Sequence, residues 1–176
     1  GLTLHNYGTI DSHSRTVYGG HANSHTSKKT KIYNYDGGMI DATTASAIKF
    51  RYAEDLEIYN YSGATIQAGT TYTIEAEGAS TVTIDNAGTI SSGTTDAISC
   101  KECADVTVTN TGTISAGSTN AVRLELATGT NTITNSGTIS SVLTNAIKIK
   151  EATGVTITNE AGGTVSADGV TAIDAD

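Results

Sequence analysis

The sequence predicts an all-β protein, a right-handed parallel β-helix with three strands per coil and about seven coils of 24–28 residues. The hexapeptide NAGTIS at 86–91 returns as NTGTIS at 110–115 and as NSGTIS at 135–140. Between these copies apolar and polar residues alternate, which is the period of a β-strand and not of a helix. A repeat of this length indicates a solenoid in which each coil buries the apolar face of the next.

The repeat is aligned on one asparagine per coil. The predicted asparagine ladder contains Asn34, Asn60, Asn86, Asn110, Asn135 and Asn159, and Asn6 begins the same series. We expect each amide to point inward at a corner of the coil and to bond the backbone and the asparagines of adjacent coils. We expect the glycine two positions later to supply a backbone conformation that other residues resist.

Each coil contains three short alternating segments, and each segment is read as one strand. In one coil, GTIS points Ile139 inward, AIKIK points Ile147 and Ile149 inward, and VTITN points Val155 and Ile157 inward. The lysines of AIKIK, Lys148 and Lys150, then face outward. Equivalent strands of successive coils must run parallel, and parallel crossovers are right-handed in nearly all proteins.

The whole chain, residues 1–176, is predicted to be a single β-solenoid domain with partial coils at both ends and a loop insertion around 19–30. The net charge of −8 argues against a nucleic-acid partner, because phosphate binding needs clustered lysine and arginine. No apolar run approaches the length of a membrane span, so we expect no membrane insertion by this segment. We expect no cofactor and no metal site.

The run NxGTIxx…AIxI…VTITN resembles the passenger regions of bacterial autotransporters and related β-helical adhesins, and it covers nearly the whole chain. The resemblance implies an extracellular or cell-surface location, with adhesion or scaffolding more common than catalysis. It also implies that glycans or a host or cell surface are candidate partners.

Catalysis is not expected, although enzymes do occur on this fold. A glycan-cleaving β-helix needs clustered carboxylates on one face. Here the outward positions of GTIS-type strands are mostly neutral, as in Thr113 and Ser115, and the carboxylates of the AIKIK-type strands alternate with lysine or arginine. The alternatives to a structural protein are therefore an adhesin or autotransporter passenger fragment and, after it, a glycan-cleaving enzyme or a phage-type fibre.

Head-to-tail assembly into a filament is the function that the sequence favours most. LTLHN at 2–6 matches one strand of a coil, and GTVS at 163–166 with AIDAD at 172–176 matches the other two, so the ends are complementary. Residues 1–31 carry a balance of +3 and residues 151–176 a balance of −5. The predicted interface contains Leu2, Leu4, Asn6, Arg15, Lys28, Lys29 and Lys31 at one end, and Val165, Ile173, Asp174 and Asp176 at the other. Because such an interface does not close on itself, it propagates as a homopolymer.

All eight tyrosines lie at or before residue 72. Tyr7, Tyr35 and Tyr61 share one corner column, and Tyr33 and Tyr59 share the adjacent outward column. These five residues are interpreted either as a stack that stiffens one end or as a contact stripe for glycans or a neighbouring chain.

Cys100 and Cys103 form the segment CKEC, and both are predicted to point inward. A zinc site would need two further ligands that the pattern does not supply. A local disulfide is therefore expected, with two packed thiols as the alternative.

Overall fold

The structure is a computed structural model that describes residues 1–20 and 29–176. These residues form twenty-one short strands and no helix. The strands in chain order are β1 Leu2–Asn6, β2 Thr9–Ser12, β3 Val17–Gly19, β4 Thr30–Asn34, β5 Met39–Ala42, β6 Ile48–Arg51, β7 Asp55–Asn60, β8 Thr65–Ala68, β9 Ile74–Glu77, β10 Thr81–Asn86, β11 Thr89–Ser92, β12 Ile98–Lys101, β13 Val106–Asn110, β14 Thr113–Ala116, β15 Val122–Glu125, β16 Asn131–Asn135, β17 Thr138–Ser141, β18 Ile147–Lys150, β19 Val155–Asn159, β20 Thr164–Ala167 and β21 Ile173–Ala175.

The strands form three parallel sheets of seven strands each. Sheet A contains every third strand from β1 to β19, sheet B every third from β2 to β20, and sheet C every third from β3 to β21. The chain therefore visits the three sheets in turn, seven times, as a parallel β-solenoid. This confirms the predicted all-β fold with three-stranded coils. When each turn is counted from its strand in sheet A, the described strands make seven three-stranded turns, from β1–β3 to β19–β21. The two partial coils predicted from the sequence are then parts of the first and the last of these turns.

Three apolar ladders run through the interior, one from each sheet. Sheet A contributes Leu4, Ile32, Ile58, Ile84, Val108, Ile133 and Ile157 in register. Sheet B contributes Ile10, Ile40, Ile66, Ile90, Ile114, Ile139 and Val165. Sheet C contributes Val17, Ile48, Ile74, Ile98, Val122, Ile147 and Ile173. The predicted inward positions are therefore confirmed.

Burial of these ladders is complete in the middle coils and partial at the two ends. Ile84, Ile90 and Ile98 have no exposed surface, whereas Leu4 is half-buried and Ile173 is 40% exposed. The difference arises because an inner coil is covered on both sides and an end coil on one side. Each end of the described solenoid therefore presents apolar side chains and unpaired strand edges.

The corner glycines are required for a reason other than the predicted one. Gly88, Gly112 and Gly137 are not among the glycines with positive φ. A Cβ at Gly112 would lie 2.1 Å from the carbonyl oxygen of Gly88 in the preceding coil, and one at Gly137 would lie 2.2 Å from that of Gly112. Glycine is needed here because successive coils approach too closely for any side chain.

Candidate functional site

The asparagine ladder forms as predicted and has a direction. Asn6, Asn34, Asn60, Asn86, Asn110 and Asn135 each donate from Nδ2 to the Oδ1 of the next asparagine, at 2.8–2.9 Å. The same Nδ2 atoms also donate to backbone carbonyls, as Asn110 does to Gly112 and Thr138. All amide-to-amide bonds point from the first coil toward the last. The ladder therefore presents an acceptor at Asn6 and a donor at Asn159.

The predicted interface residues of the first coil lie at its open edge. Leu2 is exposed, Leu4 is half-buried and packs against the core, and the Asn6 side chain is buried. The guanidinium of Arg15 lies 4.8 Å from the centroid of the Tyr18 ring, a cation–π contact on the outside of the same coil.

The predicted basic residues of this end lie elsewhere than expected. Lys29 Nζ is 2.8 Å from Asp55 Oδ2, and Lys31 Nζ is 2.8 Å from Glu57 Oε2. These lysines therefore belong to the second coil and are paired with carboxylates of the third, because adjacent coils place residues 26 apart side by side. Lys28 lies outside the described residues. Of the predicted basic residues that are described, Arg15 is the one at the first coil.

The predicted interface residues of the last coil also lie at an open edge. Val165 and Ile173 end two of the interior ladders, and Asp174 and Asp176 face outward beside them. Lys148 Nζ lies 2.8 Å from Asp174 Oδ2 and 2.9 Å from Asp176 Oδ2. These two carboxylates raise the pKa of Lys148, chiefly through the hydrogen bond to Asp174. Lys148 points outward as predicted but is only 17% exposed, because it is covered by this pairing.

The five tyrosines of the aromatic stripe form two parallel ring stacks, one along the corner and one along sheet A. In the corner stack, Tyr7 and Tyr35 have centroids 4.3 Å apart and Tyr35 and Tyr61 have centroids 5.0 Å apart. In the strand stack, Tyr33 and Tyr59 lie 5.0 Å apart, and His5 continues the stack 4.9 Å from Tyr33. Tyr33 and Tyr35 join the two stacks side by side at 6.2 Å. The five tyrosine rings and the His5 ring are thus nearly parallel to one another and form one block of six stacked rings.

Glu57 fixes one edge of this block. Its Oε2 accepts hydrogen bonds from Lys31 Nζ and from the hydroxyl of Tyr59, both at 2.8 Å. Both bonds favour the ionised carboxylate and lower the pKa of Glu57, with Lys31 the larger cause. The same bond, together with burial, raises the pKa of Tyr59 to about 12. The Tyr59 hydroxyl therefore remains protonated, and keeps its hydrogen bond to Glu57, at pH values well above the physiological range.

The two cysteines are buried as predicted, but they are free thiols and not the expected disulfide. Cys100 fits the interior column between Ala76 and Leu124. Cys103 lies at a buried corner that alanine, Ala79 and Ala127, occupies in the adjacent coils. In these fully buried positions a thiol packs as a small apolar side chain. Cys100 hydrogen-bonds to Cys103, and this bond with burial raises the pKa of Cys100.

The carboxylates of sheet C are occupied by cationic neighbours. Glu75 Oε1 is 2.5 Å from Lys49 Nζ, and Glu77 Oε2 is 2.7 Å from Arg51 Nε. Glu125 contacts both Lys150, at 3.0 Å, and Arg123, at 2.6 Å. The alternation of sign along the outward column thus produces ion pairs between coils, although Lys101 pairs with its neighbour Glu102 instead.

Reasoning from the sequence missed three features of the candidate site. His5 belongs to the strand stack, and its register with Tyr33 could have revealed this. The hydrogen bonds of Glu57 to Lys31 and Tyr59 depend on the lengths and conformations of these side chains, which the repeat pattern does not give. A small notch lies next to the rings of Tyr59 and Tyr61. It exists because the smaller residues Asp85 and Ala87 follow these tyrosines in the same two columns.

Within residues 1–20 and 29–176, no helix has the length and hydropathy to cross a bilayer. The same residues contain no group of three or more histidine, cysteine, aspartate or glutamate side chains placed to hold a metal ion. Comparison with known proteins found no matching family model, no matching curated protein and no matching solved structure.

Proposed function

We propose that this protein is an extracellular structural protein whose solenoid assembles head-to-tail into a filament. The observation that carries the proposal is the polarity of the asparagine ladder. Asn159 uses its Nδ2 to reach Gly163, at 2.9 Å, so its second amide hydrogen is available for another acceptor. Asn6 Oδ1 accepts one weak bond from the Gly8 N–H at 3.3 Å, so the acceptor end is also available. A second copy stacked on the first continues the ladder.

The register of the sheets supports the same contact between the last coil of one copy and the first coil of the next, which we call the joint. Continuing each sheet by one strand places Ile157 over Leu4, Val165 over Ile10 and Ile173 over Val17 of the next copy. The three apolar ladders then run on without a break, and surface such as that of Ile173, now 40% exposed, becomes buried. Burial of apolar surface and pairing of open strand edges both favour this contact.

Charge complementarity at the joint rests on fewer residues than the sequence indicates. In the continued register Asp174 comes to lie over Tyr18 of the next copy, beside the Arg15 guanidinium that covers that ring. Lys29 and Lys31 lie one coil further in and are paired with Asp55 and Glu57. Exposed ion pairs contribute only about 0–1 kcal/mol, so apolar burial and backbone pairing carry the joint.

Gly8 supplies a further argument. A Cβ at Gly8 meets no atom within 4 Å, whereas Cβ atoms at the equivalent Gly88 and Gly112 collide with a carbonyl of the preceding coil. Nothing within the described coils therefore requires glycine at this position. A preceding coil from another copy would place the same carbonyl against Gly8 and explain the residue.

The proposed role is non-enzymatic. It is supported by the pairing of the sheet C carboxylates with lysine and arginine, which leaves them engaged in structure. An adhesin of the autotransporter-passenger type is the second candidate. The observation in its favour is the aromatic stripe, where Tyr7 is 69% and Tyr61 is 42% exposed. Exposed rings on a rigid face are typical of contact surfaces for proteins and glycans.

Electron microscopy and light scattering of the purified protein test the filament. We expect thin unbranched fibres, and we expect Ile173→Lys to prevent them because a charge would enter the joined core. Thr156→Lys is the matched control: it lies on the outward face of the same coil, and fibres should form. A monodisperse monomer at high protein concentration would refute the proposal.

Gly8→Ala separates assembly from folding. In one copy the added methyl group lies in open space, so the melting temperature of the monomer should not change. In the joint it would collide with the preceding copy, so fibres should fail to form. Fibres of normal yield from Gly8→Ala would show that this joint is wrong.

A further inference from the structure

A notch lies where the two ring stacks end. Tyr59 and Tyr61 each have one ring face covered by the preceding tyrosine, Tyr33 and Tyr35 respectively. At the next coil their columns continue as Asp85 and Ala87, which are too small to cover the other faces. The resulting notch has a cavity volume of about 60 Å³ and is bounded by these four residues and Asn60. The notch lies where the next aromatic ring of each stack would be if the stacks continued.

The wall of this notch carries an unused negative charge. Asp85 is exposed, and its carboxylate has neither a hydrogen bond nor an ion pair with any residue that the structure describes. Other carboxylates on the same sheet, Asp55 and Glu57, are each bound to a lysine. An aspartate beside two open tyrosine faces is thus a free acceptor in an electron-rich site.

These features favour a planar cation as the ligand. Ring faces attract cations through their quadrupole, and a carboxylate at the rim adds direct attraction. A guanidinium is flat enough to stack on a ring and presents paired N–H donors that match a carboxylate. The chain already uses this contact once, since the Arg15 guanidinium lies over the ring of Tyr18.

We propose that the notch binds the guanidinium group of an arginine side chain carried by a partner protein. The guanidinium stacks on Tyr61 above Ala87 and pairs with Asp85. The net charge of −8 also favours a basic partner. Glu57 and Tyr33 hold Tyr59 in place, so the site is formed before the ligand arrives. The site does not depend on filament assembly.

Titration with N-acetylarginine amide, followed by the NMR signals of the tyrosine rings, tests the site. We expect saturable shifts confined to Tyr59 and Tyr61, with affinity that falls as salt is added. N-acetyllysine amide should bind several-fold more weakly, because an ammonium cannot stack or pair in a bidentate manner. A methyl glucoside that shifts the same signals at equal or lower concentration would identify a sugar site and overturn the proposal.

Two variants locate the ligand. Asp85→Asn removes the charge and Ala87→Tyr fills the notch with the missing ring, so each should weaken binding at least about fivefold. Glu151→Gln removes an exposed carboxylate elsewhere and should leave the affinity unchanged. Unchanged melting temperatures confirm that the variants are folded. Wild-type affinity in Ala87→Tyr, or no saturable shift in the unmodified protein, would overturn the proposal.

Discussion

The Nδ2 of Asn110 lies 2.8 Å from the Oδ1 of Asn135, and this amide-to-amide bond is repeated at every coil from Asn6 to Asn159. Because every bond has the same sense, neighbouring bonds polarise one another and the stack of coils acquires a direction. The ladder therefore couples two properties of the protein. It satisfies the buried corner of each coil, and it makes the two ends of the solenoid chemically different.

Replacing Asn110 by alanine should destabilise the fold by about 1–3 kcal/mol, because the buried partners of its amide lose their hydrogen bonds. Those partners include Asn86, Asn135 and the carbonyl of Thr138. Urea denaturation measures the effect. Thr109→Ala, one residue away on the outward face, is the control and should cost less than about 0.5 kcal/mol. Equal losses at the two sites would contradict the role of the ladder.

Gly112→Ala should also destabilise the fold, because its Cβ would lie 2.1 Å from the carbonyl oxygen of Gly88, which the backbone N–H of Thr113 holds by a hydrogen bond. Overpacking of this kind costs about 1–3 kcal/mol. Gly8→Ala adds the same methyl group at the equivalent position without a collision and is the matched control in the monomer. Thermal unfolding of both variants decides the point, and an undiminished melting temperature for Gly112→Ala would contradict the close approach.

The titration of Tyr59 is a test of the aromatic block. Its folded pKa is raised from 10.0 to about 12, so the folded state holds this proton more tightly than the unfolded chain. The corresponding stability is fully present below the unfolded pKa and is lost as the pH rises through about 12. Phenolate absorbance or NMR should show Tyr59 ionising near this value. Glu57→Gln removes the carboxylate and should lower the pKa of Tyr59; no change would mean that Glu57 is not the cause.

The state of Cys100 and Cys103 is decided by alkylation and mass spectrometry. Both thiols are free and buried, so native protein should resist the reagent. Unfolded protein that has not been reduced should take up one label on each cysteine. Absence of label under those conditions would show that the two residues form a disulfide.

The sequence by itself determined the fold. Alternation with a period of two set the inward and outward faces, and one asparagine per coil fixed the register. The ladder from Ile32 through Ile84 to Ile133 follows directly from that spacing. This succeeds because in a solenoid each coil contacts its neighbours in the same way, so local periodicity and tertiary contact are nearly the same information.

Only the tertiary structure decided which side chains meet between coils and how closely the backbones approach. From the sequence, Lys31 was assigned to the positive charge of the N-terminal end. In the structure its ammonium group is instead paired with the carboxylate of Glu57 in the next coil. Sequence attributed the corner glycines to backbone conformation, whereas a carbonyl 2.1 Å from the would-be Cβ of Gly112 is the reason. The open faces of Tyr59 and Tyr61 also depend on what the following coil fails to cover. Side-chain reach and contact distance are three-dimensional quantities, and a repeat pattern in one dimension does not contain them.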